Sequence, residues 1–303
     1  AQFTGPLDKF PFEAGEESFR IEAQLEDATL KYHPNWPVIE QVTADISIDD
    51  MRFYSTHNTA TTLGNNTVDA QIEIADMRDP VLTIDAYTTG TLGTIRQLSM
   101  QSPIANVLGG QLDRIQIDGD ASFDFQLSYP IWDKLNYTFT ANILSNNGLL
   151  SIEGFTPLLS NLSGLITVTR DSIQSESLTG NFLGGYINID LTRATEDMPK
   201  YSAIAYTTGI ATAEKLIGEL GLPLEGLLSG STRYDAKILF PYGKTDEPAP
   251  LHVSIETSLE GLAVKLPVPA GKKLDEIRSL SMDIKFPEPD RIDSFGSSTD
   301  GIT

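Results

Sequence analysis

Along most of this 303-residue chain every second side chain is apolar. A period of two puts the apolar side chains on one face of a β-strand and the polar ones on the other. The pattern recurs from end to end: Phe19, Ile21, Ala23, Leu25; Val68, Ala70, Ile72, Ile74; Phe123, Phe125, Leu127, Tyr129; Ile187, Ile189, Leu191; Tyr234, Ala236, Ile238, Phe240; and Leu280, Met282, Ile284, Phe286. Most intervening positions are charged, amide or hydroxyl residues. The predicted sheet therefore has one wet face and one that protein or ligand must cover.

Two segments break this rhythm, 91–108 and 210–228. In the first, Ile95, Leu98, Ile104 and Leu108 share a helical face; in the second, Ala213, Leu216, Ile217 and Leu220 do so. Both are expected to be short amphipathic helices, kinked or ended by Pro103 and Pro223.

The helices expose an internal repeat. Tyr87-Thr88-Thr89-Gly90 before the first is matched, 119 residues on, by Tyr206-Thr207-Thr208-Gly209 before the second. Pro103 and Pro223 lie 120 apart, as do Phe19 and Phe139, Leu30 and Leu150, and Ile46 and Ile166. Several matches in order at nearly one spacing mark a repeat architecture. The expected organisation is a first β unit over 1–110 ending in helix 91–108, a second over 111–229 ending in helix 210–228, and an incomplete third over 230–303. The third trails into a Gly/Ser-rich stretch, 294–301, too polar to pack and read as a disordered tail. A unit of open sheet hands its edge to the next, so the chain should be elongated. Gly148, Gly164, Gly180, Gly184 and Gly185 are candidates for the bends that would curl the sheet into a U. The fold class is thus mostly β: an elongated, repeat-built antiparallel sheet folded into a taco-like apolar groove, with two helical inserts.

Composition narrows the chemistry. A formal charge of -21, with no cluster of Lys and Arg, opposes binding to a phosphate backbone, so no nucleic-acid partner is expected. The absence of cysteine removes thiol nucleophiles, Cys-based zinc sites and disulfides. No run approaches the roughly 18 apolar residues of a membrane-spanning helix. Of the three histidines, His33 stands in an aromatic, proline-rich turn, and His57 and His252 read as surface positions. Asp49-Asp50 and Asp118-Gly119-Asp120 suit turns and lack the ligand ladder of a calcium loop. No catalytic residue, cofactor or metal is called, and the chain is read as no enzyme.

Three stretches carry a resemblance: Phe10-Pro11-Phe12-Glu13-Ala14-Gly15-Glu16-Glu17-Ser18-Phe19; Asp27-Ala28-Thr29-Leu30-Lys31-Tyr32-His33-Pro34-Asn35-Trp36-Pro37; and Gln101-Ser102-Pro103-Ile104 followed by Asp118-Gly119-Asp120-Ala121. They resemble the YhdP family of AsmA-like, TamB-related proteins over roughly Phe10 to Leu191, and more weakly beyond. The resemblance implies a Gram-negative, bridge-like lipid transport protein, anchored in the inner membrane by an N-terminal helix that this chain lacks. Its long periplasmic part would form a β-lined groove moving phospholipid toward the outer membrane. The chain is then expected to be an internal periplasmic piece, with phospholipid acyl chains and the neighbouring repeats as partners. The residues nominated to line the groove are Phe123, Phe125, Leu127, Tyr137, Phe139, Ile187, Ile189 and Leu191. The alternative is a β-sandwich scaffold or surface-binding module, in which the same residues form a sealed core.

Overall fold

The computed structural model describes residues 1–6, 8, 10–12, 18–31, 34, 36–102, 115–133, 135–152, 155–241, 249–267 and 269–286. The expectations for His33, for the end of the first helical segment beyond Ser102 and for the polar tail fall outside these residues.

Alternation gives strands throughout. In chain order these are β1 (Gln2–Thr4), β2 (Ser18–Leu30), β3 (Ile39–Asp49), β4 (Arg52–Thr62), β5 (Asn65–Ile74), β6 (Val81–Thr91), β7 (Ile115–Pro130) and β8 (Thr138–Ile152). The second half supplies β9 (Phe155–Thr169), β10 (Ile173–Phe182), β11 (Gly184–Arg193), β12 (Tyr201–Thr212), β13 (Leu228–Pro241), β14 (Leu251–Thr257), β15 (Leu262–Val264) and β16 (Leu280–Phe286). Helix α1 (Leu92–Met100) follows β6, and helix α2 (Ala213–Leu220) follows β12.

All sixteen strands belong to one antiparallel sheet in which sequence neighbours pair from β1 to β14, β16 pairs β14 and the short β15 pairs β13. The sandwich alternative needs a second sheet to seal against, and the strands among the described residues supply none.

The register keeps each face pure across strands. One row runs Ile21, Ile48, Phe53, Ile74, Leu82, Tyr129 from β2 to β7. The next runs Ala23, Ile46, Ser55, Ile72, Ile84, Leu127, Phe139. In the far half, Leu191, Ala205, Ile238, Val253 and Ile284 form one row and Leu178, Ile189, Thr207, Ala236, Ile255 and Met282 another. The reverse face carries rows such as Glu22, Ser47, Tyr54, Glu73, Thr83, Ser128 and Asp190, Tyr206, Lys237, Ser254, Asp283. There, ion pairs link adjacent strands: Arg20–Asp49 at 2.9 Å and Arg52–Glu73 at 2.7 Å. Pairs this exposed set register more than they add stability.

Curvature comes from bulges. Asp27, Gln41, His57, Asn147, Asn161 and Ser177 lie inside strands with left-handed φ, at or next to shifts of register with a neighbour. Each such irregularity bends and twists its strand. Gly164, with φ 136, does the same where Leu178 of β10 comes against it. The result is a sheet curled enough that β10 approaches β12 across β11, and α2 touches β9, three strands from its own β12.

The helices differ from expectation in extent. Helix α2 is shorter than 210–228: Ile210–Thr212 finish β12, and Gly221, in the left-handed conformation at φ 64, ends the helix two residues before Pro223. The Tyr-Thr-Thr-Gly tetrapeptides precede the helices without capping them. They are the last part of strands β6 and β12, and the N-caps are Thr91 and Thr212, whose hydroxyls accept from the backbone N–H groups of Thr94 and Lys215. Gly90 is there because buried Asn65 stands against it, and Gly209 because Tyr234 does.

Candidate functional site

The candidate site is the apolar face itself. Strand direction alternates along the sheet, so β6 and β12 run the same way and α1 and α2 leave from the same rim. Both helices fold back onto the apolar side. Leu92 and Ile95 of α1 pack on Ala121, with Ile117, Phe123 and Ile143 around them. Leu216 of α2 packs on a larger cluster of Leu159, Leu162, Leu178, Ile187, Ala211 and Tyr234.

All eight nominated residues lie on this one face. Phe123, Phe125 and Leu127 alternate along β7, and Leu127 sits opposite Phe139 of β8. Tyr137 stacks on Phe139 with ring centroids 6.4 Å apart, and Phe125 lies 6.2 Å from Phe139. The guanidinium of Arg170 covers the Tyr137 ring at 4.7 Å, so this end of the aromatic row is capped by a cation. Ile187, Ile189 and Leu191 alternate along β11. Register links the two sets: Phe123 shares its row with Ile143 and Ile166, and Ser175, two residues on from Ile173 opposite Val168, pairs Leu191.

The two sets have different surroundings. Phe123, Phe125, Leu127 and Tyr137 are partly buried, as are Ile21, Ile46, Phe53, Ile72 and Ile84 on the strands before them. Among the described residues, α1 and the phenylalanines around Phe12 come over that half of the sheet. Ile187, by contrast, is 6% exposed and belongs to the packed cluster beneath α2, with Ile189 against it. Phe139 is buried as well. Among the described residues each half of the trough has a helix seated on it, and the cluster beneath α2 is the larger.

The motifs weighed for chemistry hold structure together. Asp50 accepts from the Phe19 N–H at 2.7 Å, and Asp118 from the Gly119 N–H at 2.8 Å, closing a hairpin and a bulge. His252 meets Asp283 at 3.0 Å on the wet face. Ser254 donates to the same carboxylate, and these bonds hold Asp283 below the usual carboxylate range. Among the described residues no three groups of the metal-ligating kind converge, and no helix is long and apolar enough to cross a membrane.

Sequence reasoning missed two things. The bulges fall at nominated glycines such as Gly148, Gly164 and Gly184 and also on Asp, Gln, His, Asn and Ser, and nothing in the alternation marks these non-glycine positions. The seating of α2 in the trough was legible only as an amphipathic stripe, without a destination.

A single open antiparallel sheet, apolar on one side and polar on the other, defines a β half-pipe. The chain belongs to the YhdP family, whose model, described as YhdP protein, matches residues 2–298. It is 24% identical over 285 residues to the "Intermembrane phospholipid transporter YhdP" of Escherichia coli (strain K12). That alignment covers 93% of this chain and 22% of the relative, so the chain spans about a fifth of that protein's length. No solved structure matches it.

Proposed function

We propose that this chain is a segment of a periplasmic conduit that carries phospholipid acyl chains between the inner and outer membranes, without chemistry. The observation that carries the reading is the continuity of the apolar rows from β2 to β16, whose side chains keep part of their surface in contact with solvent over the first half of the sheet. So long a contiguous apolar strip, only partly covered, is usual where something binds. Contact with hydrocarbon gives about 0.8 kcal/mol per buried methylene and no preferred position along the strip. An acyl chain is held, yet slides. The polar face and the net charge of -21 keep the outer surface in water and away from anionic headgroups. The E. coli relative, called an intermembrane phospholipid transporter, supports the same reading.

The periplasmic setting, the inner-membrane anchor of a longer parent and the neighbouring repeats as partners are part of this proposal. So is the serial division into units over 1–110, 111–229 and from 230 onward, supported by the like construction of β6–α1–β7 and β12–α2–β13. In that arrangement β16, last on the strand path with Leu280 and Met282 each 40% exposed, hands the trough to the next unit.

The test is mass spectrometry of organic extracts from gently purified protein. Phospholipid above the level recovered with an unrelated acidic protein is expected. Protein free of lipid, purified without detergent, would contradict the conduit.

A further inference from the structure

One group in the trough is out of keeping with hydrocarbon. Tyr234 of β13 is 8% exposed, and its hydroxyl is buried without a hydrogen-bond partner. The other buried hydroxyls on or beside the apolar face are satisfied. Ser55 donates to the Asp45 carbonyl, Ser145 to that of Leu162, Ser175 to that of Leu165, and Thr207 to that of Ala236; Thr88 and Thr232 pair with Thr67 and Thr257. Among the described residues the one other orphan is Glu219 Oε2 on α2, and that carboxylate is already engaged through Oε1 with Lys215 at 3.0 Å.

The chain makes room for this phenol. A Cβ at Gly209 would stand 2.5 Å from the Tyr234 oxygen, so the ring crosses β12 where there is no side chain. It ends among Leu178, Ile187 and Ala211, beneath the helix that carries Leu216. Phenylalanine would fill that space and bury the same apolar area without an unpaired donor, which is costly in such surroundings. An unpaired buried donor in a native fold calls for a partner.

We propose that the Tyr234 hydroxyl is a hydrogen-bonding station in the trough, which donates to the glycerol-ester carbonyl of a passing phospholipid. This rests on the conduit reading and adds to it one directed bond on an otherwise featureless wall. The acceptor has to be uncharged, because a phosphate drawn among Leu162, Leu178 and Ile187 would leave water without a cation to meet it. The ester carbonyl is the neutral acceptor at the head of an acyl chain. Burial pushes the ionisation of the phenol well above its ordinary value, so the group stays a neutral donor. Lipid would pause here while its ester is bound and α2 covers it.

The experiment compares uptake of dioleoylphosphatidylglycerol with that of its ether-linked analogue, which lacks the carbonyls, by the whole chain and by Tyr234→Phe. The wild-type chain is expected to hold the ester lipid about three- to tenfold more tightly, the usual range for one neutral hydrogen bond. In Tyr234→Phe the preference should vanish, with ether-lipid binding unchanged and a melting temperature equal or higher. Equal binding of the two lipids by the wild type, or the same ester preference in Tyr234→Phe, overturns the station and leaves the conduit standing. A wild-type chain that takes up neither lipid overturns both.

Discussion

Gly148 of β8 lies directly under Leu92 of α1: a Cβ at residue 148 would stand 2.9 Å from Leu92 Cδ1 and 3.2 Å from Leu162 Cβ. The helix sits on the sheet because this position has no side chain. Gly148→Val is therefore expected to lift α1, costing about 1–3 kcal/mol as overpacking does. Urea unfolding measures the loss, and amide exchange should show faster exchange over 92–100. Unchanged protection there would mean that α1 is held elsewhere.

Gly218 in α2 is the opposite case. Nothing lies within 4 Å of a Cβ built there. With no contact to protect, Gly218→Ala should strengthen the helix by up to about 1 kcal/mol, the difference in helix propensity. Slower amide exchange over 213–221 is expected, with β12 and β13 unchanged. Loss of stability would place that face of α2 against a neighbour.

The last strand answers to pH. The Asp283 carboxyl, held low by Ser254 and His252, contributes stability that is present above the ordinary carboxylate value near 3.9. That contribution is lost as pH falls through the lowered, folded value. Exchange over Leu280–Phe286 should therefore quicken in acid below about pH 4, and Asp283→Asn should remove this step. A strand equally protected in acid, or an unaltered step in Asp283→Asn, would contradict the role given to the pair.

How much of this was legible in the sequence depended on which force set each feature. Strand faces were, because burial against water acts on every second residue; Phe123, Phe125 and Leu127 share a face for that reason alone. Helix α2 was legible in kind but not in length, since the apolar stripe continues to Leu220 and beyond while the backbone turns at Gly221. The Tyr-Thr-Thr-Gly signal was legible as a repeat, but not that its glycines answer to Asn65 and Tyr234 on other strands. Contacts of that range leave no local trace. The burial of Ile187 was equally hidden: it and Phe125 look alike in the sequence, and the cluster beneath α2 takes in Ile187.

The central claim is that lipid lies on one face of the sheet, and β7 offers the most direct test. A photocrosslinking residue is placed in turn at Phe123, Asp124, Phe125, Gln126 and Leu127 in the protein expressed in its native envelope, and lipid adducts are measured. The account predicts adducts at 123, 125 and 127 and none above background at 124 and 126. Adducts on both faces alike, or on neither, would contradict it.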